Sequence, residues 1–240
     1  MSAPSATEHD AVHVYGVISA DALDRVELPE RVAIVRSGAL AALVSAAGSR
    51  GLASEVRRHD AVVGAVVSQG VTIIPMRFGT IVTEPDALGR KVLDANSSSL
   101  LAALADLEGL VQYTVRVEYV RETATRAAMR DDPGIESLRA RAGRDRSVQI
   151  QLGQRIVAAI DRRRPADADR LRAELARVAE RVQCELSQDP ERVADFACLV
   201  ERSDATQFED AVEGLAERHH EAVHMTLVGP LAPYDFVPEL

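Results

Sequence analysis

The stretch Ser54–Thr80, SEVRRHDAVVGAVVSQGVTIIPMRFGT, changes its periodicity midway, and that change decides the fold class. From Ser54 to Gln69, the residues Val56, His59, Asp60, Val63, Val66 and Val67 recur on one face of a 3.6-residue period, and Gly70 supplies a stop. This part is predicted to be a helix. Val71–Met76, VTIIPM, is then a continuous apolar run rich in β-branched residues. That is the pattern of a strand buried on both faces, and Pro75 sets its end near Arg77.

Upstream, His13–Ser19 (HVYGVIS) reads as a strand, and Arg31–Gly38 with Leu40–Ser45 reads as a hairpin. Downstream, Thr83 with Asp86 three residues on can cap a second helix. Leu88, Val92, Leu100, Leu104 and Leu107 carry that helix to Gly109. Val111–Val120 (VQYTVRVEYV) alternates as a closing strand. The order β-ββ-α-β-α-β predicts an α+β N-terminal domain over residues 11–120, a modified ferredoxin-like sheet with helices on one face.

Residues 121–147 mix seven Arg with five acids and show little sustained apolar periodicity, so they are expected to be an Arg-rich linker or a partly ordered loop. A second α+β, ferredoxin-like domain is expected over 148–228. Its first helix is marked by Leu152, Ile156 and Ile160. A second helix is capped by Asp167 and carries Leu171, Leu175, Val178, Val182 and Leu186. A strand at Val193–Val200, a helix through Phe208, Val212, Leu215 and His219, and a strand at Val223–Gly229 complete it. Residues 229–240 hold three prolines and read as an extended tail, with Tyr234 and Phe236 either packed on the body or offered to a partner.

Composition limits the function classes. The 240 residues are 47% hydrophobic and 27% charged, enough apolar material for packed cores, and the formal net charge is −9. A surface of that sign repels phosphate, so nucleic acid and anionic membrane are poor default partners. The run Arg139–Arg146 could suggest nucleic acid, but no aromatic residue is interleaved for base stacking, and a solvated face is expected there. Two cysteines, Cys184 and Cys198, make neither a disulfide framework nor a zinc site; both are read as core thiols of a chain kept in a reducing cytoplasm. The leader MSAPSATEHD lacks the features of a secretory signal, and no apolar window is long enough to span a bilayer.

No phosphate-cradling glycine loop, nucleophile elbow, zinc-protease helix or calcium loop occurs, so no cofactor or metal is expected. The polar group that stands out is Arg57-Arg58-His59-Asp60. An acid on an apolar helix face needs a partner, and Arg77, at the end of the buried strand, is the expected one, forming a clasp between helix and strand. The alternative reading makes His59 a general base beside Asp60, with Arg77 holding an anion in a small-molecule or hydrolytic site. Gly79, after Phe78, marks a turn needing positive φ. His219, His220 and His224 are read as solvated or capping residues.

HVYGV near the start, RRHD on the helix, IIPMRFGT ending the buried strand, LEG before VQYTVRVEY, and the terminal GPLAPYDFV together resemble the GvpF/GvpL family of gas vesicle proteins. Leu231 departs from the pattern, since the family often has a Trp after the Gly-Pro. The resemblance implies a two-domain α+β accessory or minor component of gas-filled protein shells. Its working role would be non-catalytic: binding the small hydrophobic shell subunit GvpA, with other accessory proteins as further partners, and limiting its aggregation during nucleation and assembly. The matching signature positions are His59, Asp60, Pro75, Arg77, Phe78 and Gly79, with Tyr234 and Phe236 in the tail.

Overall fold

The computed structural model describes residues 11–48, 51–143 and 145–238, and only the backbone of Pro85 and Asp86. The leader, Arg144 of the Arg-rich run and the Asp86 side chain lie outside the described residues. The chain divides into two compact units: one runs to Gln112 and takes up the chain again from Pro230, and the other is Tyr113–Gly229.

The first unit opens with strand β1 (Val12–Ser19), then the hairpin β2 (Ala33–Ser37) and β3 (Leu40–Ala46), which turns through Gly38 at φ +57°. Helix α1 (Leu52–Ser68) buries His59, Val62, Val63, Val66 and Val67. It ends in a Schellman motif, in which Gly70 at φ +78° lets its own N–H reach the Val67 carbonyl and the Val71 N–H reach Val66. The buried run that follows contributes only the short strand β4 (Ile74–Pro75). After the turn at Arg77–Thr80, β5 (Ile81–Val82) returns to the same neighbour. Both pair antiparallel with β1, in a sheet of order β2-β3-β1-β4 with β5 also beside β1.

The β4 strand lies close to β1 because residue 16 is glycine. A Cβ there would stand 2.7 Å from the Ile74 carbonyl oxygen and 2.7 Å from the Ile73 side chain. The β1–β3 register slips between Val14 and Gly16, so Val14 and Val17 face one core while His13 and Tyr15 face α1.

The second helical stretch is broken rather than continuous. It comprises α2 (Pro85–Leu88), a π-helical turn Gly89–Asp94, and α3 (Ser97–Asp106). Glu84, not Thr83, precedes its first residue. The irregular turn resets the helical phase, which is why Leu93 is fully buried and Val92 only half so. Leu88, Leu93, Leu100 and Leu104 pack on Val14, Leu40, Ala42 and Val44. Because α1 faces the side of the sheet carrying Tyr15 and Ser45, helices cover both faces rather than one, and β3 is buried along nearly its whole length.

Strand β6 (Leu110–Tyr119) corrects the expected boundary at 120. It pairs within the second sheet, of order β7-β8-β6-β9, where β7 is Arg181–Leu186, β8 Arg192–Glu201 and β9 Val223–Leu231. The expected linker is also structured, as α4 (Arg121–Asp131) and α5 (Pro133–Ala142). Ala124, Ala128 and Ile135 form its narrow buried face against Ala159 and Ile160 of α6 (Arg146–Leu175). Asp132 caps α5 through the Gly134 N–H and receives two hydrogen bonds from Arg155, so the arginines face acids of neighbouring helices.

Helix α6 runs through Pro165 without stopping, so Asp167 is not a cap. It accepts from the Tyr119 hydroxyl at 2.9 Å and pairs with Arg170. Proline removes one ladder bond, and the buried stripe through Ala168, Leu171 and Leu175 carries the helix past it. Val182 and Leu186, expected on a helix, lie on the exposed edge strand β7. The alternation Arg181-Val182-Gln183-Cys184-Glu185-Leu186 fits a strand as well as their spacing fits a helix. Cys184 is therefore exposed, not a core thiol; Cys198 is buried, and burial pushes its thiol up to about 12. Helix α7 (Ala205–His219) buries Phe208, Val212 and Leu215, as its spacing predicts.

Candidate functional site: a buried histidine–tyrosine relay

Two elements of the first unit bring His13 and His59 together. On β1, His13 and Tyr15 point toward α1, which presents Arg58 and His59 to them. His13 Nε2 lies 2.8 Å from His59 Nδ1, and His59 Nε2 lies 3.1 Å from the Tyr234 hydroxyl of the C-terminal segment. Either the protons run from His13 to His59 to Tyr234 or both run in reverse; each pattern satisfies both contacts and both nitrogens of His59. Arg58 donates from Nε to the Tyr15 hydroxyl at 2.8 Å, and Tyr15 also meets Ser45 Oγ at 2.8 Å.

Both histidines are buried, His59 to 1% exposure, and burial lowers both below the ordinary imidazole value. For His13, the neighbouring His59 and Arg58 lower it further and Glu55 opposes them; for His59, the charge of Asp60 and a backbone hydrogen bond at Met76 oppose the fall. Burial, with Asp60 nearby, holds the Tyr234 hydroxyl up to about 12, so it stays protonated.

Phe78 lies over this relay, its ring centroid 5.6 Å from that of His13 and 5.8 Å from that of His59. The turn Arg77–Thr80 places it there: Gly79 takes φ +89°, and Thr80 donates to the Arg77 carbonyl from both its N–H (3.1 Å) and its hydroxyl (2.7 Å). Beyond the turn the ladder resumes, with Val14 N–H donating to the Thr80 carbonyl. Pro75 faces Gly16 in β4.

The C-terminal segment docks on this unit. Strand β9 extends through Pro230 and Leu231, and a 3-10 turn spans Tyr234–Phe236. Ala232 is buried, Val237 packs on the Val14–Leu104 core, and Phe236 is half-buried. The side chain of Gln112, itself 2% exposed, donates to the Asp235 carboxylate and accepts from the Asp235 N–H at 3.1 Å.

The expected clasp of Asp60 with Arg77 does not form. Both side chains are exposed and no hydrogen bond or ion pair joins them. Asp60 shares a helical stripe with Val56, Val63 and Val67, but that stripe is buried only toward the C-terminal end of α1, and at Asp60 it has emerged into solvent. His13, Tyr15, Gln112 and Asp235 complete the arrangement without having been singled out beforehand. The signal for the first two was a histidine and a tyrosine two residues apart on an otherwise apolar strand. Of the other histidines, His219 meets Glu174 at 3.1 Å and His220 bonds the Glu217 carbonyl. Among the described residues, no group of three or more His, Cys, Asp or Glu is placed to hold a metal ion.

The fold and this site define a two-unit α+β protein whose most buried polar cluster ties strand, helix and C-terminal segment of one unit together. The chain belongs to the GvpL/GvpF family: the sequence pattern of that family, described as gas vesicle synthesis protein GvpL/GvpF, matches residues 11–238. Gas vesicle protein F of Streptomyces sp. is 33% identical over 218 residues, covering 87% of this chain and 89% of that protein. Gas vesicle protein L1 of Halobacterium salinarum is 25% identical, covering 76% and 69%. The crystal structure of GvpF from Microcystis aeruginosa superposes with a TM-score of 0.74 at 18% identity, covering 96% of this chain and all of that one. That of GvpF from Anabaena sp. gives 0.73 at 18% identity, covering 96% and 97%.

Proposed function

We propose that the protein binds the small hydrophobic shell subunit GvpA in the cytoplasm and limits its aggregation while gas vesicles nucleate and grow, without catalysing a reaction. The observation that carries this reading is the family match, which spans nearly all of the described chain. The physics is compatible with it. A formal net charge of −9 keeps an escort and its complex apart from like complexes, while open sheet edges and exposed aliphatic side chains, among them Ile34, Ile81 and Val228, offer purchase to an apolar client. Among the described residues, no helix is long and apolar enough to cross a membrane.

The relay favours architecture over catalysis. Both ring nitrogens of His59 are engaged within the fold, leaving neither for a substrate proton, and Asp60 and Arg77 point into solvent. On this reading His59, Pro75, Phe78, Gly79 and Tyr234 hold the unit together rather than touch the client, and Phe236 supports the docked segment. The test is co-expression with the cognate GvpA, an affinity pull-down, and the fraction of GvpA left in the supernatant with and without this protein. Specific co-purification with a rise in dispersed GvpA is expected; absence of both refutes the escort role.

A further inference from the structure

The first unit carries a groove of about 620 Å³ between the β4–β5 edge and the helical segment Pro85–Asp94. Ile74, Met76, Val82, Leu88 and Val92 give it an apolar floor and walls, and Arg77 and Lys91 stand at its rim. Its size falls in the range of clefts that bury most of a drug-sized ligand.

Two observations indicate what it holds. The chain already seats a piece of itself at one end: after the 3-10 turn Tyr234–Phe236, Val237 returns to extended backbone and packs on the apolar core that Met76, Val82 and Val92 also border, and Pro238 lines the wall. The groove therefore accepts an aliphatic side chain on extended backbone. The second observation is charge. The Arg77 guanidinium has no partner among the described residues, and Lys91 pairs only with the exposed Glu84, a contact that water weakens. A rim of this sign on a strongly acidic protein selects a segment that carries a carboxylate beside its aliphatic residues.

We propose that this groove is the seat for an extended, aliphatic, acid-bearing segment of the shell subunit, laid end to end with the protein's own Tyr234–Val237. The inference rests on the escort reading and assigns it a place. This edge borders an apolar groove and carries Arg77, which has no partner among the described residues. The opposite edge of the same sheet, β2, exposes Ile34 and Arg36 but contributes no residue to this groove.

The test uses the full chain co-expressed with GvpA, with a photo-crosslinking amino acid placed singly at Lys91, at Arg77 or, as the comparison, at Ile34. Adducts to GvpA from Lys91 and Arg77 at least several-fold above those from Ile34 are expected. Charge reversal at the two exposed rim positions, Arg77→Glu with Lys91→Glu, should lower co-purified GvpA by roughly five-fold at low salt with the melting temperature unchanged. Equal or stronger adducts from Ile34, or full retention by the double variant while the unaltered chain retains GvpA, overturns the groove assignment and leaves the escort role standing. Failure of the unaltered chain to retain GvpA overturns the escort reading, and the groove assignment falls with it.

Discussion

Gly16→Ala should unseat strand β4. The added Cβ would lie 2.7 Å from the Ile74 carbonyl oxygen, 2.7 Å from Ile73 Cδ1 and 2.8 Å from Ile73 Cγ1, whereas real Cβ atoms essentially never come within 3.0 Å of a neighbour. The carbonyl belongs to backbone and cannot rotate aside, so β4 must retreat from β1. It is held there by few contacts: the pairs Gly16–Pro75 and Val17–Ile74, and the Met76 N–H to the Tyr15 carbonyl at 2.9 Å. Overpacking of a tight core costs about 1–3 kcal/mol, and each ladder bond lost adds about 1 kcal/mol, so a total near 3 kcal/mol is expected.

For a unit of this size such a loss lowers the melting temperature by roughly 10 °C. Urea titration should show the midpoint falling with the m-value unchanged, and hydrogen exchange should quicken first at Met76 and Val14, whose amides bond across this seam. Adding Ile73→Val, which removes the Cδ1 atom, separates the two clashes. Partial recovery is expected, because the carbonyl contact remains. A Gly16→Ala protein within about 0.5 kcal/mol of the parent would refute the close-approach account of this glycine.

The histidine pair sets a second expectation. Both imidazoles are held below their ordinary value of 6.5, so the unfolded chain binds more protons than the fold below that pH. Stability is then fully present above pH 6.5 and falls as pH drops from there through the lowered folded values, at up to about 1.4 kcal/mol per pH unit for each histidine, and His13→Gln with His59→Gln should flatten that slope in pH-resolved urea melts. Tyr234→Phe removes the hydroxyl that meets His59 and should cost about 1 kcal/mol, read as faster amide exchange across Tyr234–Phe236; no change there would show that the hydrogen bond does not hold the segment. In the second unit, a Cβ on Gly229 would meet the Tyr113 ring at 2.4 Å, so Gly229→Ala should destabilise by about 1–3 kcal/mol, and Tyr113→Ala in the same chain should relieve the clash while adding a cavity cost of its own.

The sequence was most legible where one period dominated a long window. Helix α7 announces its buried face through Phe208, Val212 and Leu215, and β9 alternates Val223, Met225 and Leu227 inward. Reading failed where two periods fit one segment or where burial changed along an element. Val182 and Leu186 satisfy helix and strand alike, and only the sheet, which supplies β8 as a partner, selects the strand. The Arg-rich stretch after β6 hides its helices because the buried face is alanine, at Ala124, Ala127 and Ala128, which contributes little to any hydropathy pattern. Strand β6 reads correctly as a strand, but no local signal says which of two sheets it joins.

The relay shows the same boundary at the level of single residues. That His59 lies inward follows from its phase with Val62, Val63 and Val66, but the identity of its partners depends on non-local geometry. An acid one residue later, Asp60, looks like the natural companion in sequence, yet one residue is 100° around a helix, enough to turn it into solvent at a point where the helix is leaving the sheet. The partners instead come from 46 residues before and 175 residues after, on a strand and on a docked segment. Buried polar groups must be paired, so an unexplained histidine on an apolar face indicates that distant donors and acceptors converge on it. The segment that completes the relay through Tyr234 is also the one whose Val237 and Pro238 line the groove proposed above as the client's seat.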